Sequence, residues 1–337
     1  MTEDVKVNSA KAWLRAARPK TLTGAMIPVL LAGAMAFRGG WFCAMEPDDG
    51  SLAFGTPGLR IALWVCCLVF ACLMQVAANF INDIYDFEKG TDREDRLGPE
   101  RACAQGWITP AAMRRGIAVT IAAACVVGLT AVAMSYRYLP WKGAEFVLLG
   151  ILCVAFAFLY TTRLSYLGWG DVLVLVFFGF VPVCGTYYLL TTSLSAEVVL
   201  LSLIAGIAID ALLMINNYRD REQDRISGKR TLVVRFGERA GRYGYLLLGV
   251  VVTLLIGWLC WRTVLSDGGC SAPLLGEGSG LRFVFLALQL VYPVLHFMTW
   301  RKMVRIRSGK ALNSILGETS RNMFVMAVLL SLALILV

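Results

Sequence analysis

The sequence predicts an all-α fold, a nine-helix transmembrane bundle with two aspartate-rich cytoplasmic loops. Three observations predict it. Of 337 residues, 58% are hydrophobic and only 16% charged, and mean hydropathy is +0.67, so there is too little polar surface to enclose a water-soluble globule. Nine apolar stretches approach the ~20 residues that a bilayer-crossing helix needs. Basic residues also alternate in density from one connection to the next, as the positive-inside rule requires.

In chain order the apolar stretches are residues 22–37, 59–80, 117–135, 144–160, 172–190, 198–215, 243–261, 281–299 and a last one ending at Val337. Residues 1–20 are polar and basic. They lack the apolar core and small-residue cleavage site of a secretory signal, so the first span is expected to direct its own insertion. With the N-terminus inside, five Lys or Arg precede the first span, six fall in residues 83–115, one is Arg163, eight fall in 218–242 and five in 301–310. The outside loops and helix edges hold only Arg38, Arg60, Arg137, Lys142, Arg262 and Arg282. That bias predicts a cytoplasmic N-terminus, an outside C-terminus and a place in a bacterial cytoplasmic membrane. It also accounts for the net charge of +9 with membrane lipid as the surroundings and no nucleic acid partner. No soluble domain, heptad array or low-complexity tract interrupts the chain, so residues 1–337 are expected to form one domain.

Most of the ten cysteines lie in apolar stretches, where a thiol behaves as a small buried hydrophobe. Cys43 and Cys270 fall in outside loops, where an oxidising periplasm would allow them to pair.

The charge that remains is concentrated in two inside segments. After the second span come Asn82, Asp83, Asp86, Glu88, Asp92 and Asp95; after the sixth come Asn216, Asp220, Glu222 and Asp224. In each, an Asn is followed four residues later by an Asp, a spacing that stacks side chains on one helix face a turn apart. Carboxylates on one face repel unless a cation sits among them. An oxygen-only set without His or Cys suits a hard ion such as Mg²⁺, held by a few carboxylates and substrate phosphate. The expected metal ligands are Asn82, Asp83, Asp86, Asp92, Asn216, Asp220 and Asp224. The interleaved Arg93, Arg96, Arg101, Arg225, Lys229 and Arg230 are phosphate-binding types. Acid and base together at a membrane surface point to a metal-chelated diphosphate with an apolar tail in the bilayer. One charged loop alone would be a solvated connection; two with the same spacing, each at the inner end of an even-numbered span, favour a site.

These paired motifs resemble those of the UbiA superfamily, whose members have nine transmembrane helices and aspartate-rich motifs after helices 2 and 6. Four local stretches are similar to its 1,4-dihydroxy-2-naphthoate branch: Ala17-Arg18-Pro19-Lys20-Thr21-Leu22, Asp95-Arg96-Leu97-Gly98-Pro99-Glu100-Arg101, Gly228-Lys229-Arg230-Thr231-Leu232 followed by Arg235-Phe236-Gly237, and Leu312-Asn313-Ser314-Ile315-Leu316-Gly317. Many superfamily members carry a further Asp eight residues after the first Asn. Here that position is Gly90, and Asp92 stands two residues on, as in the naphthoate branch.

The resemblance implies a Mg²⁺-dependent prenyltransferase acting on polyprenyl diphosphate and 1,4-dihydroxy-2-naphthoate, forming demethylmenaquinone with loss of CO₂ and diphosphate. It implies Asp86, Asp220 and Asp224 as catalytic carboxylates, and Lys20 with Arg93, Arg96, Arg101, Arg225 and Lys229 around the diphosphate. An allylic cation formed there would gain from aromatic faces, for which Tyr160 and Tyr218 are the candidates. Asp171, at the start of the fifth span, reads as a helix cap, and His296, the only histidine, as an ordinary buried residue. Another aromatic acceptor such as 4-hydroxybenzoate is the alternative within the class. From a different class, a cation-coupled transporter would need charges near the bilayer midplane, where Asp210 is the one acidic residue.

Overall fold

The computed structural model describes residues 5–42, 56–90, 96–160, 164–262 and 279–336. Among them the chain is helical, with no strand. A short α1 (Ala10–Ala17) precedes α2 (Leu22–Arg38), α3 (Pro57–Glu88), α4 (Pro110–Ser135) and α5 (Ala144–Leu159). The turn α6 (Ser165–Leu167) leads to α7 (Gly170–Val174), which passes through a π-helical stretch, Leu175–Phe180, into α8 (Val181–Thr191). Then come α9 (Ala196–Ile226), α10 (Leu232–Cys260), α11 (Ser279–Leu288), α12 (Val291–Ile306) and α13 (Leu312–Leu336). Seven helical segments among the described residues are long and apolar enough to cross a membrane, and α5 is a shorter apolar helix.

The helices begin where the sequence supplies caps. Ser9, Thr56, Thr109, Ser195 and Thr231 each accept a hydrogen bond from the amide three residues on, starting α1, α3, α4, α9 and α10. Each cap satisfies an amide that has no partner within the helix, worth ~1 kcal/mol. The expected eighth span is not continuous: it is two helices, α11 and α12, separated by a turn at Gln289 and Leu290. Pro293 supplies the reason. It has no N–H to give the Gln289 carbonyl, and its ring would clash there in an unbroken helix.

Among the described residues the Asn and Asp of both motifs, Asn82, Asp83 and Asp86 on α3 and Asn216, Asp220 and Asp224 on α9, lie on the helices themselves. With 32 and 31 residues, α3 and α9 are about 48 Å long at ~1.5 Å per residue, well beyond the ~30 Å of a hydrocarbon core. Their C-terminal turns therefore stand outside the apolar layer and carry the acids in helical register.

One large core, including Ile27, Leu31, Leu63, Val183, Leu201, Ile204, Val252 and Leu330, joins α2, α3, α8, α9, α10 and α13. At its centre α9 and the π-helical stretch come close enough that a Cβ on Gly179 would lie 2.6 Å from the Ser202 carbonyl oxygen. Two smaller cores flank the motif end. Ala12, Ala16, Phe80, Ile84, Cys103, Ile108 and Met113 seat α1 and the loop before α4 on α3. Ile215, Tyr218, Val233, Tyr245, Met303, Leu312 and Ile315 fix the end of α9 against α10, α12 and α13.

Candidate active site

At the end of α3, Asp83 and Asp86 do different work. Asp83 is 1% exposed, and its two carboxylate oxygens accept from the backbone amides of Ala102 and Cys103 at 2.8 and 2.9 Å. It folds the loop back onto α3. Asp86, half-buried one turn after Asn82 on the same face, receives the loop's Arg101 at 2.5 Å and has Arg96 at 4.0 Å. One turn earlier still, Asn79 donates to the Ala17 carbonyl and the Thr21 hydroxyl, both at 2.9 Å. That anchor pins residues 17–21 beside α3 and brings Arg18 within electrostatic reach of Arg101, Asp83, Arg96 and Asp86.

At the end of α9, Arg219 organises the second half. It is 4% exposed and forms a fork on Asp220 at 2.6 and 2.7 Å, the geometry in which Arg and carboxylate bind most specifically. Its third nitrogen donates to Asn313 Oδ1 at 2.8 Å, and Asn313 Nδ2 in turn donates to the Leu97 carbonyl at 2.8 Å. A Cβ on Gly98 would sit 3.0 Å from Arg219. The loop of residues 96–101 therefore lies between the two acidic helix ends, on Asp86 from one side and on Arg219 and Asp220 from the other. Asp224, one turn beyond Asp220, has Lys229 at 3.5 Å. Lys229 and Lys89 lie over the ring of Tyr166 at 5.4 and 4.3 Å, a second tie between the motifs. The Tyr166 carbonyl accepts from the Arg230 amide at 3.0 Å. Gly168, at φ +84°, is required where a Cβ would fall 2.4 Å from the Arg230 carbonyl oxygen.

The expected residues thus divide. Asn82, Asp86, Arg96, Arg101, Asp220, Asp224 and Lys229 gather at one end of the bundle, with Asn216 on α9 one turn before Asp220. Asp83 is committed to the loop backbone. Lys20 is exposed on the turn after α1. Arg225 is exposed and pairs with Glu222 at 3.3 Å on the outer side of α9. Asp92, Arg93, Cys43 and Cys270 lie outside the described residues.

Tyr218, expected as a cation-stabilising aromatic, is 0% exposed; its hydroxyl donates to Glu238 at 2.9 Å, its ring packs against α10, and the cation over that ring is the Arg221 guanidinium at 4.6 Å. Two residues along a helix turn about 200°, so a residue beside Asp220 in sequence is across the helix from it. Tyr160, at the end of α5, stays on the inner side, within reach of Asp171, Asp210 and Asp224. His296 is buried as expected, its Nε2 at 2.9 Å from the Tyr245 carbonyl oxygen and its ring stacked 4.4 Å from that of Tyr245.

Sequence reasoning passed over Arg18, Arg219 and, as a site residue, Asn313. Each stood inside or beside a quoted stretch. Arg219 also had a usable signal, an arginine next to the motif Asp and therefore a choice between solvent and its neighbour.

The donors at the two helix ends fit Mg²⁺ in a particular way. Among the described residues no three His, Cys, Asp or Glu side chains gather into a cage. Mg²⁺ commonly keeps waters and takes one or two carboxylates plus substrate phosphate, which suits an ion arriving with a phosphate ligand.

The family model for UbiA prenyltransferases matches residues 50–315. The chain belongs to the UbiA prenyltransferase family. It is a multi-pass membrane prenyltransferase. Among its relatives, a 1,4-dihydroxy-2-naphthoate octaprenyltransferase of Haemophilus influenzae is 36% identical over 268 residues, covering 76% of this chain and 82% of the relative. The enzyme of that name from Escherichia coli is 37% identical over 261 residues, covering 76% and 79%. The fold is also that of a UbiA homologue from Archaeoglobus fulgidus solved with DMAPP and Mg²⁺, at TM-score 0.56 and 12% identity, covering 96% of this chain and 98% of that one. A digeranylgeranylglyceryl phosphate synthase structure aligns at TM-score 0.54 and 14% identity over similar shares, 96% and 98%.

Proposed function

We propose that this UbiA-family member transfers a polyprenyl chain from polyprenyl diphosphate to 1,4-dihydroxy-2-naphthoate in menaquinone biosynthesis. The observation that carries the acceptor is the 36–37% identity, across 76% of the chain, to two bacterial enzymes that bear that activity in their names. The site's chemistry agrees with the donor: acidic helix ends and arginines at one end of an apolar bundle suit a diphosphate whose tail runs into lipid.

In this reading Asn82 and Asp86 with Asn216, Asp220 and Asp224 would hold Mg²⁺, which supplies charge neutralisation on the diphosphate when bound. Arg18, Arg96, Arg101 and Lys229 bind and orient the phosphates and stabilise negative charge on the leaving group. The prenyl C1–oxygen bond breaks with its electron pair going to diphosphate. C2 of the naphthoate ring forms the new bond to prenyl C1. The C2–carboxylate bond then breaks, CO₂ leaves, and the electron pair restores the aromatic ring, so no net proton is released. The transfer is redox-neutral and ends at the hydroquinone; a separate two-electron oxidant outside this site would convert it to demethylmenaquinone. Asp224 and Arg219 are buried, which would limit the water that competes for the prenyl cation at that end of the bundle. The basic bias of the connections supports a cytoplasmic N-terminus, with the mouth on the cytoplasmic side of the bacterial inner membrane.

Purified protein incubated with radiolabelled polyprenyl diphosphate tests the reading. Label is expected in a lipid-soluble product with 1,4-dihydroxy-2-naphthoate, and EDTA is expected to abolish it. Transfer to 4-hydroxybenzoate and none to the naphthoate would overturn the acceptor; full turnover after chelation would overturn the metal.

A further inference from the structure

Two acids inside the bundle take no part in the site described so far. Asp210, on α9, is 8% exposed, and its Oδ1 is buried without a hydrogen-bond partner. Asp171, on α7, likewise has a buried Oδ1 with no partner. It is not the N-cap itself, which is Trp169, but it sits in the first turn of α7 with its carboxylate bonded to its own backbone N–H. Among the described residues neither acid has an ion pair. Their helices pack together, since a Cβ on Gly170 would lie 3.2 Å from Leu213 of α9, and Asp171 is near enough to Asp210 to act on it electrostatically. Tyr160 lies within reach of both and of Asp224.

Position relates this cluster to the mouth. Asp210 precedes Asp224 by fourteen residues, about 21 Å along the helix and within ~40° of the same face. At the mouth Arg101, Arg219 and Lys229 stand against Asp86, Asp220 and Asp224, whereas deeper in, Asp171 and Asp210 have no ion pair among the described residues. A buried polar group without a partner costs about 1–3 kcal/mol, and in a membrane interior such groups mark the path of a ligand. A prenyl tail offers these acids nothing. A metal cage is not present among the described residues. A phenolic hydroxyl offers a donor, and the acceptor's carboxylate would find cations only at the mouth, where Arg101 and Lys229 stand.

We propose that Asp171, Asp210 and Tyr160 form the subsite for the 4-hydroxyl group of the aromatic acceptor, orienting its carboxylate-bearing carbon toward the mouth. The proposal rests on the prenyl-transfer reading above. The hydroxyl donates to a carboxylate oxygen, which raises electron density in the ring before attack. The proton stays shared along that hydrogen bond, since departure of CO₂ restores the ring without one leaving.

The test compares 1,4-dihydroxy-2-naphthoate with 1-hydroxy-2-naphthoate, which lacks the group in question, in full-length wild type, D210L and D171L. KM for the dihydroxy acceptor is expected to rise at least tenfold in each variant, in line with loss of one hydrogen bond to a charged group. The inhibition constant of the monohydroxy analogue and KM for the prenyl donor should stay within about twofold of wild type, because neither makes that bond. Equal shifts for both naphthoates, or no shift in either variant, would overturn the subsite. Should a leucine variant fail to insert, D210N and Y160F carry the same comparison with the same two outcomes. Wild-type protein that prenylates neither naphthoate would count against the proposed function instead, so the two failures are distinct.

Discussion

The ends of α3 and α9 carry the same Asn-to-Asp spacing and use it differently. On α3 the carboxylates are met from across the chain: loop amides occupy Asp83, and the loop's Arg101 meets Asp86. On α9 they are met by close neighbours in sequence, Asp220 by Arg219 and Asp224 by Lys229. The first motif therefore anchors the loop to its helix, whereas the carboxylates of the second are paired with side chains from their own stretch of sequence. A shared spacing fixes which residues share a helix face. It does not fix what each one binds.

Substitutions can break this comparison, beginning with the largest effect. Asp220→Asn or Asp224→Asn keeps size and removes charge, and turnover of the purified enzyme should fall by ~10²- to 10³-fold, as for loss of one electrostatic stabiliser. Membrane insertion should be normal, and near-normal turnover in both variants would make the α9 motif a solvated helix end. Arg219→Lys keeps the charge but cannot fork on Asp220 and reach Asn313 together. Donor KM should rise about tenfold, in line with loss of a charge-assisted bond, with acceptor KM little changed. Asp83→Asn should act on folding instead. Its carboxylate accepts two buried amide bonds, so stability in detergent should drop by ~2–4 kcal/mol, read as a lower unfolding midpoint. A drop in turnover with unchanged stability would assign Asp83 to the chemistry after all. Arg225→Ala should change kcat/KM less than about twofold, because an exposed pair such as Arg225 with Glu222 contributes little.

Composition made the membrane class legible, since a chain this apolar has no soluble alternative. The spacing of four placed Asp86, Asp220 and Asp224 at their helix ends. The break at Gln289 was hidden, although Pro293 announced it, because hydropathy averages over the residues that a proline separates. The partners of Asp83 and Tyr218 were not legible, because the loop amides of Ala102 and Cys103 and the Glu238 carboxylate that they meet lie 19 to 20 residues away. Arg18, Arg219 and Asn313 depend on tertiary contacts between residues up to 216 positions apart, and no local pattern carries such a pairing.

The Asn313 bridge also sets an order of assembly. The ribosome releases residue 97 long before residue 313, so the carbonyl of Leu97 and the guanidinium of Arg219 wait for a partner that arrives with the start of the final helix. Until then the loop is fastened to α3 alone, through Asp83 and Asp86, and its tie to the end of α9 through Asn313 is missing.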